Sequence, residues 1–394
     1  MTSIQIPGDR KAQVEAALDR AVDFLQARQL PHGEFATLLG RDRAMSLAVP
    51  DSTVFTTAQL IHSLAFVESA RTREMIRRAA DFLRAERECG GLWRYWSSRN
   101  HRHARLGPDL DDTACASFAL RRAGLAAPDN LWAFRRARDA HGRFFTWMRP
   151  GHLGRFDVFG RAALAVGAAQ ARRRAARTEV PVSEDPRFVT MHIDPDDVDP
   201  VVNANVLLWL GERTETEAAR RFVAETVLAD PPTFSRYYED PLVLHYAVAR
   251  ASEEASPGLR ALGPHIVGRI EARLDEDKAL DPLKTALAAA SLAVFAPRSA
   301  ALDRLVDSIL AAQRPDGGWQ ACAYYNVWGS EELTTGFCLE TLARYSLANR
   351  DVQSRRAKDE QVAQLHHVIG AARGLDAGKP LQQTLDGESC FHPG

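Results

Sequence analysis

The chain has 394 residues, with 50 Lys and Arg against 51 Asp and Glu and a formal charge of −1. So even a balance excludes the basic excess of a nucleic-acid binder, and 45% hydrophobic with 26% charged residues is the composition of a chain that buries a full core. No apolar run reaches the roughly 18 residues of a membrane span; the polar start from Met1 to Lys11 has no secretory apolar stretch, and five scattered cysteines are expected to be the reduced thiols of a cytoplasmic protein.

In chain order, one plan repeats. Residues 18–67 read as an amphipathic helix (DRAVDFLQARQ), a Gly-containing turn and a more apolar helix (STVFTTAQLIHSLAFV). Residues 78–125 follow the same plan, with Gly90-Gly91 and Trp93 at the turn and DLDDTACASFAL opening the second helix. Three weaker copies end at residues 197–212, 237–251 and 280–295, and residues 302–345 close the series with Gly317-Gly318-Trp319. Amphipathic first helices suit an outer layer, and second helices apolar on most faces suit a buried inner one. Six such hairpins predict an all-α, (α/α)6 toroid over residues 1–350, with every inner-helix N-terminus at one end. No segment alternates with period two, so almost no sheet is expected. An Arg-rich and acidic insertion over 170–198 breaks the series, and residues 351–394 add a charged helix and a tail.

Aligning the second helices places Thr53, Asp111, Asp199, Asp240, Asp281 and Ser330 together as helix caps. One carboxylate suffices for capping, so Asp109 and Asp112 are surplus. Three carboxylates within four residues repel one another and hold a proton near neutral pH. That is the requirement for a strong general acid, with Asp111 as the acid and Asp109 and Asp112 tuning it. Of fourteen Trp and Tyr residues, nine lie in the stretches leading to inner helices. Trp96, Tyr237, Tyr238, Tyr324, Tyr325 and Trp328 are the candidates for an aromatic wall that shields a cationic intermediate; Trp93 and Trp319 fit core capping at their turns. Arg102 and Arg105, in a basic loop before the motif, are candidates to hold a diphosphate. Asn203 and Asn205 interrupt an apolar helix and are expected to face the cavity, Asn203 as a substrate contact and either one as a partner for Asp111. His192 is a remoter candidate partner. No metal site is assigned, and the acidic run Asp194 to Asp197 reads as a surface loop.

With its six repeats, the Gly-Gly-Trp turn of QRPDGGW at 313–319 and DLDDTA at 109–114, the chain resembles the class II terpene cyclases, a family that includes squalene–hopene cyclase and bacterial diterpenyl-diphosphate cyclases. The resemblance spans about residues 15–345. It implies that Asp111 protonates a linear isoprenoid, of sesquiterpene or diterpene size, that Asp109 and Asp112 flank it, and that any diphosphate survives. It implies no required cofactor, with magnesium relevant only to a bound diphosphate. Members usually pair this toroid with a second barrel, so here the insertion, the tail or a second copy in a homodimer closes the cavity, or else it stays open. Protein prenyltransferase β-subunits share the layout but take Asp, Cys and His zinc ligands from late repeats, and no histidine occurs here between His265 and His366. A toroid that binds an isoprenoid or a partner protein without catalysis is the remaining alternative.

Overall fold

A computed structural model describes residues 8–175, 194, 196–276 and 279–349. The chain divides into two compact units, Met1–Ser346 and Leu347–Gly394, and the ring of helices is built by the first. His192, most of the 170–198 insertion and residues 351–394 lie outside the described residues.

Outer helices α1 (Gly8–Arg28), α3 (Ala70–Glu86), α5 (Leu131–Arg136), α8 (Glu217–Ala229), α10 (Gly263–Asp275) and α12 (Ala300–Ala312) alternate with inner helices α2 (Phe55–Leu64), α4 (Leu110–Arg122), α7 (Pro200–Leu210), α9 (Pro241–Glu254), α11 (Pro282–Phe295) and α13, residues 331–349. An extra helix, α6 (Val158–Ala175), follows the short third outer helix. Every residue of α2 and α7 is buried, as a layer covered on both sides requires. The inner ring closes where Ser63 of α2 donates to Glu340 of α13 (2.9 Å) and Thr341 of α13 donates to the Ala286 carbonyl of α11 (3.0 Å). No helix among the described residues is long and apolar enough to cross a membrane.

The repeat turns are built alike. The indole Nε1 of Trp93 donates to the Leu83 carbonyl, and that of Trp319 to the Ile309 carbonyl. Their backbone N–H groups donate to Thr113 and Thr335 at the start of the next inner helix, 3.1 Å in both cases. Gln313 spans from its own turn at Gly317 to the Ala17 carbonyl of α1, closing the outer ring, and Gln29 does the same from Gly33 to Met75 of α3. The turn itself demands glycine: Gly317 has φ +88°, and a Cβ there would lie 2.3 Å from the Arg20 carbonyl oxygen. Gly317→Ala is therefore expected to lower stability by at least about 2 kcal/mol, read as a drop in the thermal unfolding midpoint.

The helix caps follow the alignment with two corrections. Asp199, Asp240, Asp281 and Ser330 cap their helices through their side chains, but in α4 the cap is Asp109, accepting from the Asp112 N–H at 2.7 Å. Asp111 sits inside the first turn, and Thr53 bonds Thr37 rather than capping α2. One small sheet forms, in keeping with the expectation of almost none. Strands β1 (Leu38–Leu39), β2 (Val49–Pro50), β3 (Cys322–Tyr325) and β4 (Trp328–Ser330) pair antiparallel in the order β2-β1-β4-β3. It joins the loops of the first and sixth repeats at the inner-helix N-terminal end. Strands of two to four residues are too short to show alternation.

Candidate active site

Because Asp109 does the capping, Asp111 is free of the backbone and projects from the first turn of α4 into the mouth of the ring. A cavity with an empty volume of about 390 Å³ opens there, lined by Phe55, Tyr95, Asp109, Asp111, Asp112, Thr146, Trp147, Tyr237, Tyr238 and Tyr325. Its aromatic lining comes from the stretches that precede α4, α7, α9 and α13, with Phe55 from the first turn of α2.

Asp111 is buried, yet both its oxygens are occupied. Oδ1 accepts from Asn205 Nδ2 (2.7 Å) and more weakly from Cys115 Sγ (3.9 Å); Oδ2 accepts from the Tyr238 hydroxyl (2.5 Å). Behind Asn205 lies Arg250, whose guanidinium donates to Asn205 Oδ1 (2.6 Å) and to Gln59 Oε1. Gln59 in turn donates to Cys115 Sγ at 3.5 Å, which closes a ring of contacts on Asp111. A guanidinium has only donors, so Arg250 holds both amide oxygens toward itself, which turns the Asn205 NH2 toward Asp111 and the Gln59 NH2 toward Cys115.

The three carboxyls differ in what surrounds them. Burial lifts Asp109 to about 7, opposed by the Asp112 N–H and assisted by the Asp111 charge. Burial pushes Asp112 well above the ordinary carboxylate range, and the charges of Asp109 and Asp111 push it further. Burial also raises Asp111, but the bonds from Tyr238 and Asn205 and the charge of Arg250 pull it back. Desolvation outweighs crowding for all three. Oδ2 of Asp109 and Oδ1 of Asp112 are buried without a hydrogen-bond partner, so burial disfavours the charged form of both.

Other expected residues fall in different places. Tyr237, Tyr238 and Tyr325 line the cavity as expected. Tyr237 accepts from Trp147 Nε1 (2.9 Å), and Tyr325 shares a hydrogen bond with Tyr95 (2.8 Å). Tyr324 sits one layer back, packed on Phe55, Tyr238 and Phe337. Asn203 does not reach the cavity: it clasps the Phe144 backbone from both sides and bonds the Asp199 carbonyl. Trp96 and Trp328 are also behind the wall, both donating to the buried Asp51, at 3.0 and 2.7 Å. Arg102 is drawn to the same carboxylate (3.6 Å) and lies over the Trp96 ring, so its charge is spent there rather than on a ligand. Arg105 is exposed and outside the lining. Asp197 anchors the cavity residue Thr146 (2.5 Å), while Asp194 is half-buried and Asp196 exposed. Among the described residues no group of three His, Cys, Asp or Glu is arranged to hold a metal ion.

Near this site Asp199 offers a test of the electrostatics. It caps α7 and accepts from Ser235, and burial raises it to about 7. The unfolded carboxyl releases its proton near 3.8 and the folded one near 7, so stability falls as pH climbs between those values and the loss persists above them. At about 1.4 kcal/mol per pH unit, the full penalty is on the order of 4 kcal/mol. Asp199→Asn keeps the cap and is expected to flatten the decline in the unfolding midpoint between about pH 4 and 7.

No protein-family model and no curated protein matches the chain. Solved structures do. A variant of the type II terpene cyclase MstE from Scytonema, in complex with geranylgeranyl dihydroxybenzoate as substrate, superposes with a TM-score of 0.60 at 17% identity, covering 86% of this chain and 99% of that one. Another MstE variant, bound to the product merosterolic acid A, gives 0.61 at 17% identity over 87% of this chain and 100% of the other. A protein from Actinoplanes gives 0.57 at 19% identity, covering 85% and 99%. The chain has the fold of the type II terpene cyclases.

Proposed function

We propose that this protein is a class II terpene cyclase in which Asp111 protonates the terminal double bond of a linear isoprenoid. The observation that carries the reading is a buried carboxyl with donors on both oxygens, set in the wall of an aromatic cavity beside two further buried carboxyls. Protonated Asp111 keeps the bonds from Asn205 and Tyr238, and its proton takes the remaining lone-pair position. Transfer of that proton to the alkene leaves a tertiary cation, and a neighbouring double bond closes the first ring on it. The negative faces of Tyr95, Trp147, Tyr237, Tyr238 and Tyr325 stabilise the migrating charge, by roughly 0.5–2 kcal/mol per well-placed ring. Loss of a proton from the last cation ends the reaction, so product and substrate are isomers.

Initiation by a proton requires no cofactor, and magnesium would enter only as the counter-ion of a diphosphate. A chain of geranylgeranyl size is the favoured substrate, by likeness to the ligand of the Scytonema enzyme. The lining holds no arginine or lysine, which favours a head group such as the prenylated aromatic acid of that enzyme over a diphosphate. Incubation with farnesyl diphosphate, geranylgeranyl diphosphate and geranylgeranyl dihydroxybenzoate tests this. A cyclic product of unchanged mass from the last is expected; release of diphosphate, or no product from any of the three, would count against the reading.

A further inference from the structure

Among the described residues nine large hydrophobics are exposed, and four of them fall between residues 156 and 166: Phe156 at 88%, Val158 at 75%, Phe159 at 61% and Val166 at 44%. The other five are scattered over separate elements. Helix α6 accounts for the concentration. Its inner face packs through Ala163, Leu164, Gly167 and Ala171, all buried. One turn apart on the opposite face come Val158, Ala162, Ala165 and Ala169, with Phe159 and Val166 beside them, so α6 is apolar on the outside as well. Arg155, Arg161, Arg172 and Arg173 border this face, all exposed and without a carboxylate partner among the described residues. No acidic residue occurs in α6, and Asp157 just ahead of it is paired with Arg136 at 2.6 Å.

We infer that the outward face of α6, with Phe156, docks on an anionic lipid surface. An exposed apolar strip edged with arginines is the pattern by which a helix lies in the headgroup layer, its apolar side chains entering the acyl boundary while the guanidinium groups meet lipid phosphates. Charge decides against a second copy as the occupant, since two such faces would bring like rows of arginines together. The chain runs from Trp147 in the cavity wall through the Pro150–His152 turn to Phe156 within nine residues. The inference does not depend on the catalytic reading.

The test uses the full chain and sucrose-loaded vesicles of phosphatidylcholine alone or mixed equally with phosphatidylglycerol. Co-sedimentation with the mixed vesicles is expected to exceed that with phosphatidylcholine by at least about tenfold and to weaken as NaCl rises from about 0.1 to 0.5 M. A Phe156→Ser, Val158→Ser, Phe159→Ser triple variant is expected to lose at least about tenfold of that partitioning. An Arg161→Gln, Arg172→Gln, Arg173→Gln variant should lose the preference for phosphatidylglycerol. These side chains are exposed, so unchanged unfolding midpoints will show that the variants fold. Absence of binding to either vesicle, or binding unaffected in both variants, overturns the inference. So does a dimer that the serine variant dissociates in a protein that ignores vesicles, which would assign the face to a second copy.

Discussion

Asp111→Asn is expected to reduce turnover by at least about 10³-fold, the upper part of the range for loss of a general acid. The amide fits the site without rearrangement. Its Oδ1 accepts from Asn205 Nδ2 as the carboxylate does, and its NH2 donates to the Tyr238 oxygen in place of accepting from it. The helix cap is untouched because Asp109 supplies it. Removing one of three buried carboxyls also removes repulsion, so the unfolding midpoint should stay level or rise. Activity and stability thus part company, and circular dichroism beside product formation measures both. Turnover within about tenfold of wild type would mean that another group supplies the proton.

Arg250→Met is expected to cost about 3 kcal/mol of stability, as the loss of a buried charged donor to two acceptors does, and about 10²-fold in turnover. Methionine fills most of the volume but leaves Asn205 Oδ1 and Gln59 Oε1 with no donor. Either amide is then free to flip, and a flipped Asn205 would set its oxygen against Oδ1 of Asp111. The missing charge has a second effect. Arg250 lowers Asp111, so without it the acid holds its proton to higher pH and delivers it less readily. The alkaline limb of the pH–rate profile should therefore move upward while the plateau falls. Arg250→Lys should restore only part of the activity, because one ammonium cannot hold both amide oxygens in the planar geometry of a guanidinium.

The six hairpins are legible in the sequence because the inner helices are apolar on most faces, the pattern of a position covered on both sides. The motif is legible too, although its register is not: of two aspartates two residues apart, the earlier one reaches the Asp112 N–H and becomes the cap, which leaves Asp111 for the cavity. Asn203 and Asn205 show the same limit. Two residues along a helix is a rotation of about 200°, so one side chain faces the acid while the other turns back to the Phe144 backbone. Arg102 looks like a ligand for phosphate because the sequence does not show that Asp51, some fifty residues earlier, is folded against it. Arg250 gives no signal among the apolar residues of α9, since its partners are two amides on other helices rather than a carboxylate nearby. Phe55 and Thr146 reach the cavity from segments brought together by ring closure, for which no local pattern exists.

On this mechanism the reaction begins with a proton from the protein, and deuterium oxide as solvent shows whether it does. The reaction is run after the protein's exchangeable positions have equilibrated, with geranylgeranyl dihydroxybenzoate and with geranylgeranyl diphosphate. Protonation of the terminal alkene by Asp111 predicts one deuterium in the cyclic product, on the carbon that received it, and an intact head group. A cyclic product without deuterium, or one formed with loss of the diphosphate, would contradict initiation by Asp111.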